Sequence, residues 1–402
     1  MRRAHLVLFA SVACWVFIMP ALAAGDDARA KENVLHSFGS GADGAKPFAN
    51  LTAMKGVLYG TTLDGGAHGD GTVFAIDPKS GAETVLYSFC SQQNCTDGEQ
   101  PYGNLTVVKG ELYGTTQQGG ATNNGTIYAF NPGTGTVTVV YSFCSQQNCA
   151  DGSEPFAGLT SVKDRLYGTA FDGGAHGDGV VFAFDPKTAA EEVLYSFCSQ
   201  QDCADGNEPV TNLLELNGAL YGTSLTGGAH NYGTVFSVNP KTGAETVLYS
   251  FCSQDGCTDG GPSEAALIAV NGTLYGTTYG GGAVDRGTVF TLDPSTGVET
   301  VLYSFCSKQN CTDGAEPFAG LLAAKDALYG MTGDGGTQGF GTVFSLDPVT
   351  GREKVLYSFC SEQDCADGEG SAANLINEKG TLYGTTFLGG ANGLGTVFAL
   401  KP

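Results

Sequence analysis

Apolar and polar residues follow one another along this chain in short runs that never sustain the 3.6-residue period of a helix, and glycine is too frequent for long helices. Between Leu51 and Phe89 four such runs succeed each other: Leu51 to Lys55 (strand a), Val57 to Thr62 (b), Thr72 to Asp77 (c) and Thr84 to Phe89 (d). Val, Leu, Thr, Tyr and Phe fill the runs, whereas Gly56 and Pro78-Lys79-Ser80-Gly81 punctuate them, which is the signature of strands joined by tight turns. The quartet then repeats. Tyr59, Tyr113, Tyr167, Tyr221, Tyr275, Tyr329 and Tyr383 lie 54 residues apart, each inside Leu-Tyr-Gly, so the chain holds seven units of one supersecondary design.

A four-stranded unit with apolar side chains on both faces, such as Val85-Leu86-Tyr87-Ser88-Phe89, needs a neighbour on each side to bury them. A closed ring supplies those neighbours without capping units. The ends of the chain argue for closure: Asn33 to Phe38 matches strand d, while the last unit stops after strand c at Leu400-Lys401-Pro402. The expected fold is therefore all-β, a seven-bladed β-propeller with four antiparallel strands per blade, its N-terminal strand closing the last blade. The loop after Phe38, Gly39 to Gly44, is three residues shorter than its six counterparts and lacks their cysteines, as befits the closing blade.

The first residues carry a different pattern. Arg2 and Arg3, an apolar run from Leu6 to Ile18, and Ala21-Leu22-Ala23 read as a secretory signal peptide over residues 1–23, followed by a single propeller domain over 24–402. Twin-arginine export and a lipoprotein site at Cys14 fit less well, since His5 follows Arg3-Ala4 and the lipobox leucine is missing. No later stretch is long and apolar enough for a membrane span. Removing Cys14 from the 13 cysteines leaves six pairs at one spacing: Cys90 with Cys95, Cys144 with Cys149, Cys198 with Cys203, Cys252 with Cys257, Cys306 with Cys311, and Cys360 with Cys365. In an exported chain this pattern predicts disulfides; zinc would need further ligands, and no histidine recurs beside the pairs. The formal charge of −22 becomes −24 once Arg2 and Arg3 are lost, a surface that repels nucleic acid and anionic lipid.

Gly-Xaa-Leu-Tyr-Gly-Thr-Thr, then Gly-Gly and Gly-Thr-Val-Phe, as between Gly380 and Phe398, resembles the GloVer-type tandem repeat of exported bacterial proteins. The resemblance covers essentially the whole mature chain and implies an exported or surface repeat protein. It carries over no catalytic residue.

With strands a to d running outward from the axis, the d-to-a and b-to-c connections emerge on one face, and here they are the long ones. Long loops on a rigid scaffold are where binding concentrates. The d-to-a loop carries Gln92, Gln93 and Asn94 between its cysteines, and a small disulfide ring limits the freedom such a loop loses on binding; protection against heat and proteolysis is the plainer role. Asp43, Asp97, Asp151, Asp205, Asp259, Asp313 and Asp367 precede glycine at one position of every unit. Because their loop leads to the innermost strand, they are expected at the channel mouth, where a ring of carboxylates would favour calcium; the alternative is a turn aspartate that accepts backbone N–H bonds. The glycine-rich b-to-c loop leads into a strand and not a helix, so it is no phosphate cradle.

His68 with Asp70 and His176 with Asp178 occupy identical b-to-c loops and are candidates for binding a ligand. Blades four and five break the symmetry with His230, Tyr232, Tyr279 and Arg286, the set of base, acid and cation that a uronate lyase would need; drift among repeats explains the same substitutions. Two functions follow. One is a secreted, periplasmic or cell-surface binding protein, a monomer that holds an extracellular glycan or surface protein at several copied loops and requires no cofactor. The other is a polysaccharide-active enzyme of the uronate lyase type with one site at blades four and five. A structural envelope protein is a third.

Overall fold

A computed structural model describes residues 31–39, 41–371 and 373–402; the predicted signal peptide and Cys14 lie outside them. Seven antiparallel sheets stand around an axis, six of four strands and that of blade four with a fifth short strand, Asn207–Pro209, paired with Ala219–Thr226. Blade one comprises Thr52–Met54, Val57–Thr62, Thr72–Ile76 and Glu83–Ser88, paired in that order from the axis outward; the first is one residue shorter than its run at each end, the second coincides with it, the third ends one residue early, and the fourth begins and ends one residue early. Blades two to six repeat it, with the inner strands beginning at Thr106, Thr160, Leu214, Ile268 and Leu322. Blade seven is assembled from both ends of the chain. Ile376–Glu378, Thr381–Thr386 and Thr396–Lys401 supply its inner strands, and Lys31–Ser37 pairs antiparallel with Thr396–Lys401, Val34 opposite Phe398. The helical pieces among the described residues are three-residue 3-10 turns, and no helix is long and apolar enough to cross a membrane.

The glycine of Leu-Tyr-Gly has a packing cause. Gly60 lies opposite Phe74 on the neighbouring strand, and a Cβ there would come within 2.4 Å of the ring. Gly114, Gly168, Gly222, Gly276, Gly330 and Gly384 face Tyr128, Phe182, Phe236, Phe290, Phe344 and Phe398 in the same way. A bare backbone thus lets the aromatic ring lie flat across the strand, which compensates the glycine's weak strand propensity. Each such ring meets, edge to face, the phenylalanine that ends strand d of the preceding blade: Phe89 with Tyr128 at 5.1 Å, Phe143 with Phe182 at 5.1 Å, and so around to Phe359 with Phe398 at 5.3 Å. Phe38 with Phe74, at 5.2 Å, completes the circle across the seam. Such pairs add about 0.5–1.5 kcal/mol each beyond the area they bury. The hydrophobic core is correspondingly divided into clusters that straddle interfaces; the one at the seam joins Phe38, Tyr383 and Val397 to Leu51, Leu58 and Phe74.

Within the blades, strands b and c are tied by buried hydroxyl pairs, Thr62 with Thr72 at 2.8 Å and Thr116 with Thr126 at 2.8 Å. Blade three replaces both partners at once with Ala170 and Val180, fully buried, so no polar atom is stranded there.

Candidate functional site

All six cysteine pairs expected from the spacing are disulfides. Cys90 is bonded to Cys95, Cys144 to Cys149 and Cys198 to Cys203 in blades one to three. Cys252 is bonded to Cys257, Cys306 to Cys311 and Cys360 to Cys365 in blades four to six. Each closes a knuckle around a 3-10 turn whose middle residue takes a left-handed conformation: Asn94, Asn148, Asp202, Gly256, Asn310 and Asp364. Asn, Asp and Gly are the residues that adopt it at least cost. The knuckle is fastened from below by the repeated aspartate. Tyr87 Oη donates to Asp97 Oδ2 at 2.7 Å, Ser91 donates to the same oxygen through N and Oγ, and Gln92 N donates to Oδ1 at 3.1 Å. Burial works to raise the carboxyl's pKa, but these bonds outweigh it and hold Asp97 below the usual range. Asp151, Asp205, Asp259, Asp313 and Asp367 repeat the bonds to their own Tyr, Ser and following residue.

The aspartates therefore sit beneath the outermost strand, away from the channel mouth where the sequence placed them, and they make the bonds of turn aspartates. The reason is that the first half of the loop stays bonded over strand d, and only its second half crosses to the axis. Asp43 differs, because His36 stands where the other blades have tyrosine; His36 Nε2 lies 3.3 Å from Asp43 Oδ2, with Gly39 N and Gly44 N donating to the same carboxylate.

A second acid adjoins each of these sets but one. Glu32, Glu83, Glu191, Glu245, Glu299 and Glu353, at one position of strand d, lie against the Asp of the preceding blade's loop, and each leaves Oε1 buried without a partner. Burial, then the neighbouring aspartate, pushes Glu32 up to about 8 and Glu83, Glu191, Glu245 and Glu299 up to about 7. Glu353 is raised too, by burial, against the pull of Lys308 Nζ at 2.8 Å. Blade two has Val137 at this position.

The channel mouth is lined by residues the sequence reading passed over. Phe48, Tyr102, Phe156, Val210, Glu264 and Phe318, spaced by 54, surround an axial funnel of about 120 Å³. Phe48 and Tyr102 tilt together at 4.8 Å, and Tyr102 meets Phe156 edge-on at 5.2 Å. Asn50, Asn104, Asn212 and Asn374 form the floor and tie blades together: Asn212 Nδ2 donates to Asn104 Oδ1, and Gly320 N to Asn374 Oδ1 at 2.6 Å. Among the described residues Glu264 is the funnel's one carboxylate, crowded on most sides and raised to about 7 by that burial. The signal for this ring was present in the 54-residue phase of the position after Pro47, Pro101, Pro155, Pro209 and Pro317.

His68, His176 and His230 are exposed, as are Gln92, Gln93 and Asn94; Asp70 and Asp178 are half-buried at the feet of their loops. Tyr232 is 43% exposed. Tyr279 stacks on Phe318 at 5.2 Å, while Arg286 forms an ion pair with Glu316. No hydrogen bond or ring contact joins His230 or Tyr232 to Tyr279 or Arg286 among the described residues.

The Gloeobacter/Verrucomicrobia repeat matches residues 26–218, 145–310 and 262–402. The chain belongs to this repeat family. No curated protein matches it. Among solved structures, this repeat chain resembles the extracellular domain of a hybrid two-component system of B. thetaiotaomicron, with TM-score 0.57 and 11% identity, over 90% of this chain and 39% of that one. It thus spans about two fifths of that protein's length. Oligogalacturonate lyases are similar as well. One in complex with manganese has TM-score 0.53 and 11% identity over 94% of this chain and 98% of that one. Another, from Vibrio parahaemolyticus, has TM-score 0.55 and 10% identity over 93% and 94%. At such identity these likenesses establish the propeller fold shared by the repeat family member and its neighbours, and nothing about chemistry.

Proposed function

We propose that the protein is an exported binding protein, acting in the periplasm or at the cell exterior, that holds a glycan or surface ligand on its long-loop face. The observation that carries this reading is the set of six disulfide knuckles, each fixed by a buried aspartate and each presenting exposed amide or acid side chains such as Gln92, Gln93 and Asn94. Such loops lose little freedom on binding, and copies around a ring gain by avidity. The aromatic funnel supplies the flat apolar faces on which a sugar ring packs. Disulfides fit an oxidising compartment. A uronate lyase would need a cation free to meet the sugar carboxylate, whereas the guanidinium of Arg286 is engaged by Glu316, which favours binding over cleavage.

The test is a glycan array followed by titration calorimetry on the best hit. Several equivalent sites per chain, weakened by replacing Gln92, Gln93 and Asn94 with Ala, support the knuckles; a single site weakened by Phe156→Ala locates binding in the funnel. An array with no signal above background, together with no captured surface partner, refutes the proposal. Release of unsaturated uronate products, abolished in a protein carrying both His230→Ala and Tyr232→Phe, would establish the lyase instead.

A further inference from the structure

The seam between blades seven and one differs from the other six interfaces in three ways. Its loop has no disulfide, it is shorter, and the phenol that elsewhere donates to the aspartate is replaced by an imidazole, His36. Glu83 of blade one closes on the same point, so that one ligand atom each from His36, Asp43 and Glu83 lies within 4.8 Å of the others. All three side chains are half-buried, and Glu83 Oε1 is a buried oxygen without a hydrogen-bond partner. A tyrosine cannot serve here, because it offers a proton to the aspartate; a neutral imidazole offers a lone pair.

We propose that His36, Asp43 and Glu83 form a divalent metal site, for zinc or manganese, that clasps the seam of the ring. One imidazole nitrogen and two carboxylate oxygens are the ligand set of borderline transition metals, with water completing the shell. The two sides of the blade junction come from different blades: His36 and Asp43 belong to the closing blade and its loop, Glu83 to the outer strand of blade one. A metal bound across them therefore does at the seam what a disulfide cannot, since it links two blades, whereas each disulfide spans five residues of one loop. The other groupings of ligand types, Asp70 with Glu99 beside Cys90 and Cys95, and Asp178 beside Cys198 and Cys203, contain cysteines already spent in disulfides. This inference is independent of the binding face: the clasp can fail while the glycan reading stands, and the reverse.

The experiment uses the mature protein freed of metal with EDTA and dialysed, titrated with zinc, manganese, calcium and magnesium while heat and melting temperature are followed. His36→Tyr restores the residue present at the other six interfaces, so it keeps the fold; Glu83→Gln is the second variant. Expected are one zinc site per chain absent from His36→Tyr, at least tenfold weaker binding in Glu83→Gln, and a melting temperature raised by zinc on the order of a few degrees in wild type alone. Manganese should act in the same direction and magnesium should not. Zinc or manganese that produces no heat and no shift in wild type, or a His36→Tyr protein that responds as wild type does, overturns the proposal and leaves His36 and Asp43 as a hydrogen-bonded pair only. Calcium acting equally on wild type and His36→Tyr would point to carboxylates elsewhere and count against the clasp as the metal site.

Discussion

Replacing Glu245 by Gln should stabilise the protein at pH 8 and leave it unchanged near pH 4.5. Glu245 stands in the outer strand of blade four against Tyr195 and Asp205 of blade three, and burial followed by the charge of Asp205 pushes its pKa from 4.5 to about 7. In the unfolded chain the carboxyl ionises near its ordinary value, while in the folded ring it keeps its proton until about pH 7. Stability from this group is thus complete below pH 4.5, falls as the pH rises from 4.5 to 7, and is flat above. The gap corresponds to about 3 kcal/mol as a ceiling. The side chain partly meets water, so about 1–2 kcal/mol is the expected loss per glutamate. Glu191 and Glu299 act in the same sense, while the depressed aspartates act oppositely, their stabilisation present above 3.8 and lost in stronger acid. The whole protein should therefore be most stable between about pH 4 and 5. Urea unfolding followed by circular dichroism in EDTA, at half-unit steps from pH 4 to 8, measures both curves. A wild-type protein that gains stability from pH 5 to 8, or a Glu245→Gln protein weaker than wild type at pH 8, would refute the reasoning.

Three further perturbations follow from the packing. Thr116→Ala alone strands the buried Thr126 hydroxyl and should cost about 1–3 kcal/mol, whereas Thr126→Val leaves Thr116 Oγ1 its bond to Gln118 O and the double change reproduces Ala170 and Val180 of blade three, so both should cost less, a coupling read from a double-mutant cycle in urea. Gly276→Ala drives a methyl to within 2.6 Å of the Phe290 ring and 2.9 Å of Leu267, and thermal unfolding should show a loss of roughly 1–3 kcal/mol. Lys308→Gln removes the partner of Glu353, whose side chain is 1% exposed and whose pKa burial already raises; unfolding should show a loss of roughly 1–3 kcal/mol at pH 8 that shrinks as the pH falls.

The period of 54, the strand quartet and the borrowed closing strand were legible because each is a local matter: two-residue alternation, turn chemistry and self-similarity all lie within a single unit. The disulfides were legible for the same reason, since each joins two cysteines of one short loop, as Cys144 and Cys149 do. What escaped is interfacial. Glu245 reads in sequence as a polar residue at the start of an outer strand, and only the neighbouring blade, fifty residues back at Tyr195, reveals that it is enclosed. Gly276 falls inside strand b with nothing in the sequence to say why glycine stands there, and the structure makes it the floor beneath Phe290. In sequence Asp97 lies on a segment bound for the axis, whereas its hydrogen bonds hold it to Tyr87 of the outer strand. The funnel ring was within reach of column-by-column comparison of the repeats, where Glu264 replaces the aromatic of Phe48, Tyr102 and Phe156.

Val137 gives the circle a preferred place to stay shut. Where Glu32, Glu191, Glu245 and Glu299 face an aspartate of the preceding blade, the glutamate ionises in mild alkali and the two charges push their blades apart, but Asp97 faces an aliphatic side chain across the junction of blades one and two. Repulsion therefore loosens the ring unevenly, and those two blades would remain docked as a pair while their neighbours breathe. A nearly sevenfold object in this way acquires a direction along which it comes apart.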